Sequence, residues 1–370
     1  DLPSLRSATE LVLAVPRVGF FSTPAFFANW QTNVSNQMRV TMHQTLIVAT
    51  GSSIDGTDAT EPPGTPGLDA KHASQGACFG CHMVLDPTRS IFSATWSWNY
   101  HDQADPTWSS QPGEFAFRGV VAPVGSLAAF GGVLAGHPYV GPGWVQKLCY
   151  YVNSAPCSAD DPEFSRIVGV FQGSGYDWNT LVKAVVTSPI TTNAADTVTA
   201  RQNGEVIAVA RRDHLCAALD ARLGFADVCG LDALSKKAMT TAIPEIVSGL
   251  PSDAYGRGAV APILPNMPTL FYRAGTENIC EAVAAQVVDA TSPPAGLKQW
   301  SSAAPDAAIA DFVATVMAIT PSDPRSAQLQ ALLKNHFDSA SGQPGVTRTQ
   351  ALRSTFVTAC LAPSAVSIGL

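Results

Sequence analysis

Five consecutive residues, Cys78 to His82, carry the clearest chemical signal in the sequence. They read Cys-Phe-Gly-Cys-His, so two thiols three positions apart are followed at once by an imidazole. On a helical turn the two sulfur atoms face one side, within reach of the vinyl groups of a haem, and the next imidazole lies under the iron. The pattern is typical of covalent c-type haem attachment, with His82 as the proximal iron ligand.

Two thiols at this spacing also occur in zinc sites and in redox dithiols. A closed zinc site normally uses a second close pair of ligands, and none of the other six cysteines lies in such a pair. A thioredoxin-like dithiol belongs in a βαβ pattern, which this part of the sequence lacks. We therefore expect one covalent haem c, with zinc and dithiol chemistry as the alternatives.

The other six cysteines fit a disulfide framework. Their number is even, they lie outside any metal-binding spacing, and c-type haem is attached in an oxidising compartment. Several pairings are compatible with the sequence, and we expect neighbours to pair, while six buried thiols are the alternative. The predicted bonds are Cys149–Cys157, Cys216–Cys229 and Cys280–Cys360.

Length and composition limit the possible partners. A chain of 370 residues exceeds what one core usually organises, so two or three domains are expected. The net charge is −7 and only 14% of residues are charged, which argues against a nucleic-acid surface and against a polybasic membrane anchor. No apolar run is long enough to span a membrane, so we expect membrane contact only through an anchor or partner outside this chain. Because the sequence opens at Asp1, we expect an exported precursor or a longer protein.

The elements that must position these residues are mainly helices. A helix is predicted from Ser35 to a stop at Gly51, with Arg39 and His43 on one face, and a short strand pair is predicted within residues 113–121. The aromatic stretch before Trp30 resembles a loop over a core. Further helices are predicted at 126–136, 144–152, 179–187, 208–223, 234–249, 277–289 and 309–317, and the turn ending at Asp177 is predicted to cap one of them.

The second axial ligand of the iron decides the chemistry. His101 and His137 are the first candidates, because each follows the attachment site at a turn that can present a side chain, and His43 is the third. Arg39 is a candidate partner for a haem propionate, although such an arginine more often lies on a solvated helix face. The other candidate ligands are His72, His214, His336, Met38, Met42, Met239, Met267 and Met317, whereas Met83 is too near His82.

Two stretches resemble modules of large exported cytochrome c-like proteins of bacteria, both of unknown function. The first carries Arg17, Gly19-Phe20-Phe21-Ser22, Pro24-Ala25-Phe26, Arg39, Cys78–His82 and Leu85-Asp86-Pro87. The second carries Gly136-His137-Pro138, Lys147-Leu148, Phe171, Ser174-Gly175-Tyr176-Asp177 and 181–188. The resemblance covers about half of the chain and implies a helical haem protein of the cell envelope. The sequence departs from the pattern at Thr88-Arg89-Ser90, where a glycine is usual, and at His101.

These observations predict a mainly α protein with few short strands. We expect a cytochrome c-like helical haem domain at 1–195, with its partner module at about 120–190, and a helical, disulfide-stapled domain at 196–370. The expected function is electron transfer by a monohaem cytochrome in the periplasm, at the outer membrane or outside the cell, with a redox partner protein and other envelope subunits. A haem oxidase or peroxidase and a structural haem subunit are the alternatives.

Overall fold

The computed structural model describes residues 7, 19–30, 32–33, 36, 38–54, 78–93, 113–231, 242–250, 259–262 and 269–368. The chain divides into two compact units, one formed by residues 1–152, 156–199 and 255–262 and the other by residues 153–155, 200–254 and 263–370. Both are built mainly of helices with few short strands, which confirms the predicted fold class. The assignment of a haem domain to residues 1–195 stays a prediction.

The elements up to residue 199 begin with a 3₁₀ turn at Phe20–Ser22. The helices are α1 (Pro24–Asn29), α2 (Arg39–Thr50), α3 (Phe79–Leu85), α4 (Arg89–Ser93), α5 (Leu127–Ala135), α6 (Val140–Asn153), α7 (Pro162–Gly173), α8 (Trp178–Val186), α9 (Pro189–Thr192) and α10 (Val198–Asn203), the last of which ends in the second unit. A 3₁₀ turn at Asp86–Thr88 joins α3 to α4. Strands β1 (Gly113–Phe117) and β2 (Val120–Val124) pair antiparallel in the region where a strand pair is predicted.

Aromatic rings fill the core next to the cysteine motif. Phe27, Phe92, Phe115 and Phe130 are buried and meet edge to face in a chain of ring contacts. Such contacts stabilise a core beyond the area that they bury. Helix α4 lies directly after the motif and contributes Phe92, so this core fixes the chain on the C-terminal side of the motif.

Helices α2 and α6 approach each other closely at one point. A Cβ atom at Gly143 would overlap the backbone carbonyl of Thr50, so only glycine fits there. Lys147, one turn further along α6, donates a hydrogen bond from Nζ to the carbonyl oxygen of Ile47 at 2.9 Å. Helix α2 ends at Gly51, which has a left-handed backbone (φ 68°), as the sequence predicts. The hydrogen bond from Lys147 joins α6 to the last turn of α2.

Local capping explains the helices that follow. Asp161 accepts a hydrogen bond from the backbone N–H of Glu163 at the start of α7, and Asp177 accepts one from Thr180 at the start of α8. These are ordinary N-cap bonds, which satisfy backbone donors that have no partner within the helix. The prediction that Asp177 caps a helix is confirmed. The disulfide bond Cys149–Cys157 joins α6 to the loop before α7.

The second unit is a helical bundle with two disulfide bonds. Its elements are β3 (Ala208–Val209), α11 (Arg212–Leu223), α12 (Ala242–Ser248), α13 (Leu270–Val287), α14 (Pro305–Asp311), α15 (Ser326–Ser341), α16 (Arg348–Cys360), α17 (Pro363–Val366) and β4 (Ser367–Ile368). Cys216 on α11 is bonded to Cys229, and Cys280 on α13 is bonded to Cys360 at the end of α16. With Cys149–Cys157, these are the three pairs that we predicted.

Several described segments differ from their sequence predictions. Helix α13 starts at Leu270 and not at residue 277, and α14 is followed by a π-helical turn at Phe312–Val316. Residues 24–29 form helix α1 where a loop was expected, because Thr23 caps the helix and Pro24 starts it. The helix predicted to start at residue 208 starts at Arg212, since Ala208 and Val209 pair with β4 near the C-terminus. In the part of the chain that the structure describes, no helix has the length and apolar character needed to cross a membrane.

Candidate functional site

The cysteine motif lies on a helix, as haem attachment requires. Cys78 immediately precedes α3, and Cys81 and His82 lie within it. Residues three apart on a helix share a face, so the two thiols point to one side. All eight cysteines belong to the described residues, and only Cys78 and Cys81 lie outside the disulfide bonds. Cys78 is exposed and Cys81 is half-buried, so both can be reached from the surface.

His82 is held by a carboxylate one helical turn further along the chain. Its Nδ1 atom lies 3.1 Å from Oδ1 of Asp86, whose side chain is completely buried. With the proton on Nδ1, the imidazole donates this bond, and Nε2 is the nitrogen that would ligate iron. Metal-ligating histidines commonly donate their second N–H to a carboxylate, which fixes the tautomer and the ring plane. The arrangement therefore fits a proximal haem ligand.

Asp86 is in turn held by arginines. Nε of Arg39, on α2, donates to Oδ1 of Asp86 at 2.5 Å, and both residues are buried. Arg89 is also buried and donates from Nε to the backbone carbonyl of Asp86. Burial raises the pKa of the Asp86 carboxyl. The hydrogen bonds from Arg39 and His82 and the charges of Arg39 and Arg89 lower it by more than burial raises it, so the pKa lies below its usual value. Asp86 is thus a buried carboxylate at neutral pH.

Arg39 was predicted as a candidate partner of a haem propionate. In the structure its Nε atom is bound to Asp86, a partner that the sequence interpretation did not assign. A propionate contact through the rest of the guanidinium stays a prediction. The ion pair connects α2 to the turn after the motif, so Arg39 acts on the site through Asp86.

His137, predicted as a haem-binding residue, has a partner within the protein at each ring nitrogen, and its role toward haem stays a prediction. The side chain is completely buried and stacks on Phe117. Its Nε2 lies 3.2 Å from the carbonyl oxygen of Phe117, and its Nδ1 accepts a hydrogen bond from the N–H of Tyr139. Burial lowers its pKa, so the ring is neutral and serves to connect β1 to the start of α6.

His43 has a different environment. It lies one turn after Arg39 on α2, and among the described residues no group forms a hydrogen bond with its buried Nε2 atom. Burial lowers the pKa of His43, which favours the neutral imidazole that binds metals. A buried polar atom without a partner is unusual in proteins and calls for an explanation. An iron ligand is one such explanation.

The remaining candidates divide into three groups. His101, the first candidate for the second ligand, lies outside the described residues, and so do His72, Met239 and Met267. His214, His336 and Met317 belong to the second unit. Met38, which immediately precedes α2, and Met42 on α2 are both buried. Within the described ranges, no group of three or more His, Cys, Asp or Glu side chains is arranged to hold a metal ion.

Asp86 is the residue of this site whose role the sequence interpretation missed. It was noted only as part of Leu85-Asp86-Pro87 in the resemblance. Its spacing from His82 was the available signal, because residues four apart on a helix are neighbours.

Comparison with known proteins gave no match among protein-family descriptions, curated proteins or solved structures.

Proposed function

We propose that this chain is a monohaem c-type cytochrome that transfers electrons in the bacterial cell envelope. Its proposed location is the periplasm, the outer membrane or the cell exterior, where it works within a larger protein or assembly. The observation that carries the proposal is the placement of Cys78 at the start of one short helix and of Cys81 and His82 within it, with His82 oriented by the buried Asp86 carboxylate.

The side chains have separate tasks in this function. Cys78 and Cys81 would hold the haem through thioether bonds, each formed when a thiol adds across a vinyl group, and Nε2 of His82 would ligate the iron. When bound, haem c supplies an iron that takes up and releases one electron. Phe79, Cys81 and Leu85 pack against the aromatic core and lie only partly buried, so they would provide an apolar surface beside a haem.

The disulfide bonds support the proposed location. Three bonds in one chain are typical of proteins that fold in an oxidising compartment such as the periplasm. Covalent haem is attached in the same kind of compartment. The two features are therefore consistent with one another, and both fit export from the cytoplasm.

The second axial ligand distinguishes electron transfer from catalysis. A second protein ligand closes the iron and favours electron transfer, whereas an open position allows oxygen or peroxide chemistry. His43, the third candidate from the sequence, gains support because its Nε2 is buried without a hydrogen-bond partner among the described residues. With two ligands, the chain would pass electrons to a separate redox partner protein.

The test is a pyridine haemochrome spectrum of the chain expressed with a bacterial cytochrome c maturation system. We expect a c-type spectrum and haem that stays on the denatured polypeptide. Substitution of both Cys78 and Cys81 by alanine should abolish it, whereas the matched pair Cys149→Ala and Cys157→Ala should not. A wild-type protein without covalent haem would refute the proposal. A high-spin iron in both redox states would favour an oxidase or peroxidase instead.

A further inference from the structure

Three residues form a connected series at the proposed haem site. His82 is bonded to Asp86 through Nδ1, and the same Oδ1 atom of Asp86 accepts a hydrogen bond from Nε of Arg39. The carboxylate side chain is fully buried, whereas the imidazole is 22% exposed. A carboxylate acceptor, ion-paired with Arg39, is therefore held inside the protein on the side of the imidazole opposite Nε2.

We propose that Asp86 is a positioning residue that fixes the His82 imidazole and lowers the reduction potential of the iron. The inference rests on the proposed function, because it needs a haem on Cys78 and Cys81. A carboxylate that accepts the Nδ1 proton makes the imidazole a stronger electron donor at Nε2. A stronger donor stabilises ferric iron more than ferrous iron, so the potential falls.

Arg39 makes this arrangement possible. Burying a carboxylate is costly unless it has hydrogen bonds and an opposite charge beside it. The guanidinium of Arg39 approaches from α2, which is distant in sequence from the motif and packed in the same core. Its bond to Oδ1 of Asp86 therefore fixes the carboxylate beside His82. Its effect on the iron passes mainly through Asp86.

The first experiment compares the midpoint potential of the wild-type haem protein with that of Asp86→Asn, measured by spectroelectrochemistry. Asparagine keeps the shape and removes the charge, so we expect a clear upward shift. Asp161→Asn is the matched control, because this carboxylate lies in the same unit, caps α7 and shows no hydrogen bond to His82 among the described contacts. A shift no larger than that of Asp161→Asn would overturn the inference.

A second variant covers the case in which Asp86→Asn leaves Arg39 without a counter-charge and fails to fold. The double substitution Arg39→Gln and Asp86→Asn removes both charges. We expect it to raise the midpoint potential above that of wild type, by less than Asp86→Asn alone would. Where Asp86→Asn folds, Arg39→Gln should change the potential less in the Asp86→Asn background than in the wild type, because the two residues are coupled. Loss of covalent haem from every Asp86 variant, while Asp161→Asn keeps it, would reduce Asp86 to a structural role and overturn the inference. Absence of haem from the wild type would refute the proposed function itself.

Discussion

The Nζ atom of Lys147 lies 2.9 Å from the carbonyl oxygen of Ile47, in the last turn of α2. The ammonium group thus binds the C-terminal end of α2, whereas Lys147 itself belongs to α6. Burial lowers the pKa of Lys147 to about 8, whereas an unfolded lysine has a pKa of about 10.4. The folded protein therefore releases this proton at a lower pH than the unfolded chain does.

Lys147 should make the protein more stable as the pH rises above 8. Between about pH 8 and pH 10 the unfolded chain holds more protons than the folded protein, so deprotonation favours folding by up to about 1.4 kcal/mol per pH unit. The measurement is urea unfolding of wild type and Lys147→Met at several pH values. The unfolding free energy of wild type minus that of Lys147→Met should increase from pH 8 to pH 9.5. Lys183→Met, at an exposed lysine of α8, should show no such trend, and parallel curves for Lys147→Met and wild type would contradict the prediction.

Gly143→Ala should destabilise the protein by about 1 to 3 kcal/mol, because the new methyl group overlaps the carbonyl of Thr50 and α2 and α6 must separate. Gly169 on α7 is the matched control, since a Cβ atom there meets nothing within 4 Å. Gly169→Ala should be neutral or stabilising by up to about 1 kcal/mol, because alanine is the better helix former. Thermal unfolding compares the two, and equal midpoints would show that the helices tolerate the methyl group.

Substitution of the candidate ligands should identify the second axial ligand. We expect His101→Ala to turn a low-spin iron high-spin, which the visible and electron paramagnetic resonance spectra report. His43→Ala is the alternative that the structure supports, through the buried Nε2 atom. A change in His43→Ala together with an unchanged His101→Ala would assign the ligand to α2. If neither spectrum changed, both assignments would be wrong.

His137→Ala should leave the haem spectrum unchanged and lower stability. The substitution leaves the carbonyl of Phe117 and the N–H of Tyr139 without their imidazole partner. An unsatisfied buried polar group costs about 1 to 3 kcal/mol. Chemical unfolding measures the loss of stability, and the haem spectrum shows whether the iron is also affected. A high-spin iron in this variant would restore His137 as a ligand.

The three disulfide bonds should contribute unequally to stability. Cys280 and Cys360 are 80 positions apart, whereas Cys149 and Cys157 are 8 apart. On the chain-entropy estimate, the long loop is worth about 4.5 kcal/mol and the short one about 2.5 kcal/mol. Serine substitution of both cysteines in each pair, followed by urea unfolding, tests the order. A larger loss from the Cys149–Cys157 pair would contradict it.

Local signals in the sequence were sufficient for much of the fold. The cap at Asp177 and the stop at Gly51 depend on neighbouring residues, so they were predicted. Cys216 and Cys229 lie close in the chain and also pair. By contrast, Ala208 pairs with Ile368, and Arg39 binds a carboxylate 47 positions later. Periodicity and capping carry no information about such distant partners.

The residues of the site also divide into those set by local spacing and those set by partners distant in sequence. The motif at Cys78 to His82 is visible because its chemistry requires a fixed spacing. The burial of His137 could not be read from its position at a turn, since burial depends on Phe117 and the strand pair. The partner of Arg39 was equally hidden, because a charged residue on a helix gives no sign of which side it faces.

The bond between Cys280 and Cys360 also bears on proteolysis. It joins the middle of α13 to the end of α16, so the segment between them is a covalently closed ring. A protease that cuts once inside this ring produces two chain ends but no released fragment. The nicked protein keeps its mass until a reductant opens the bond, and most of the second unit therefore stays attached to the motif-bearing unit after the first cut.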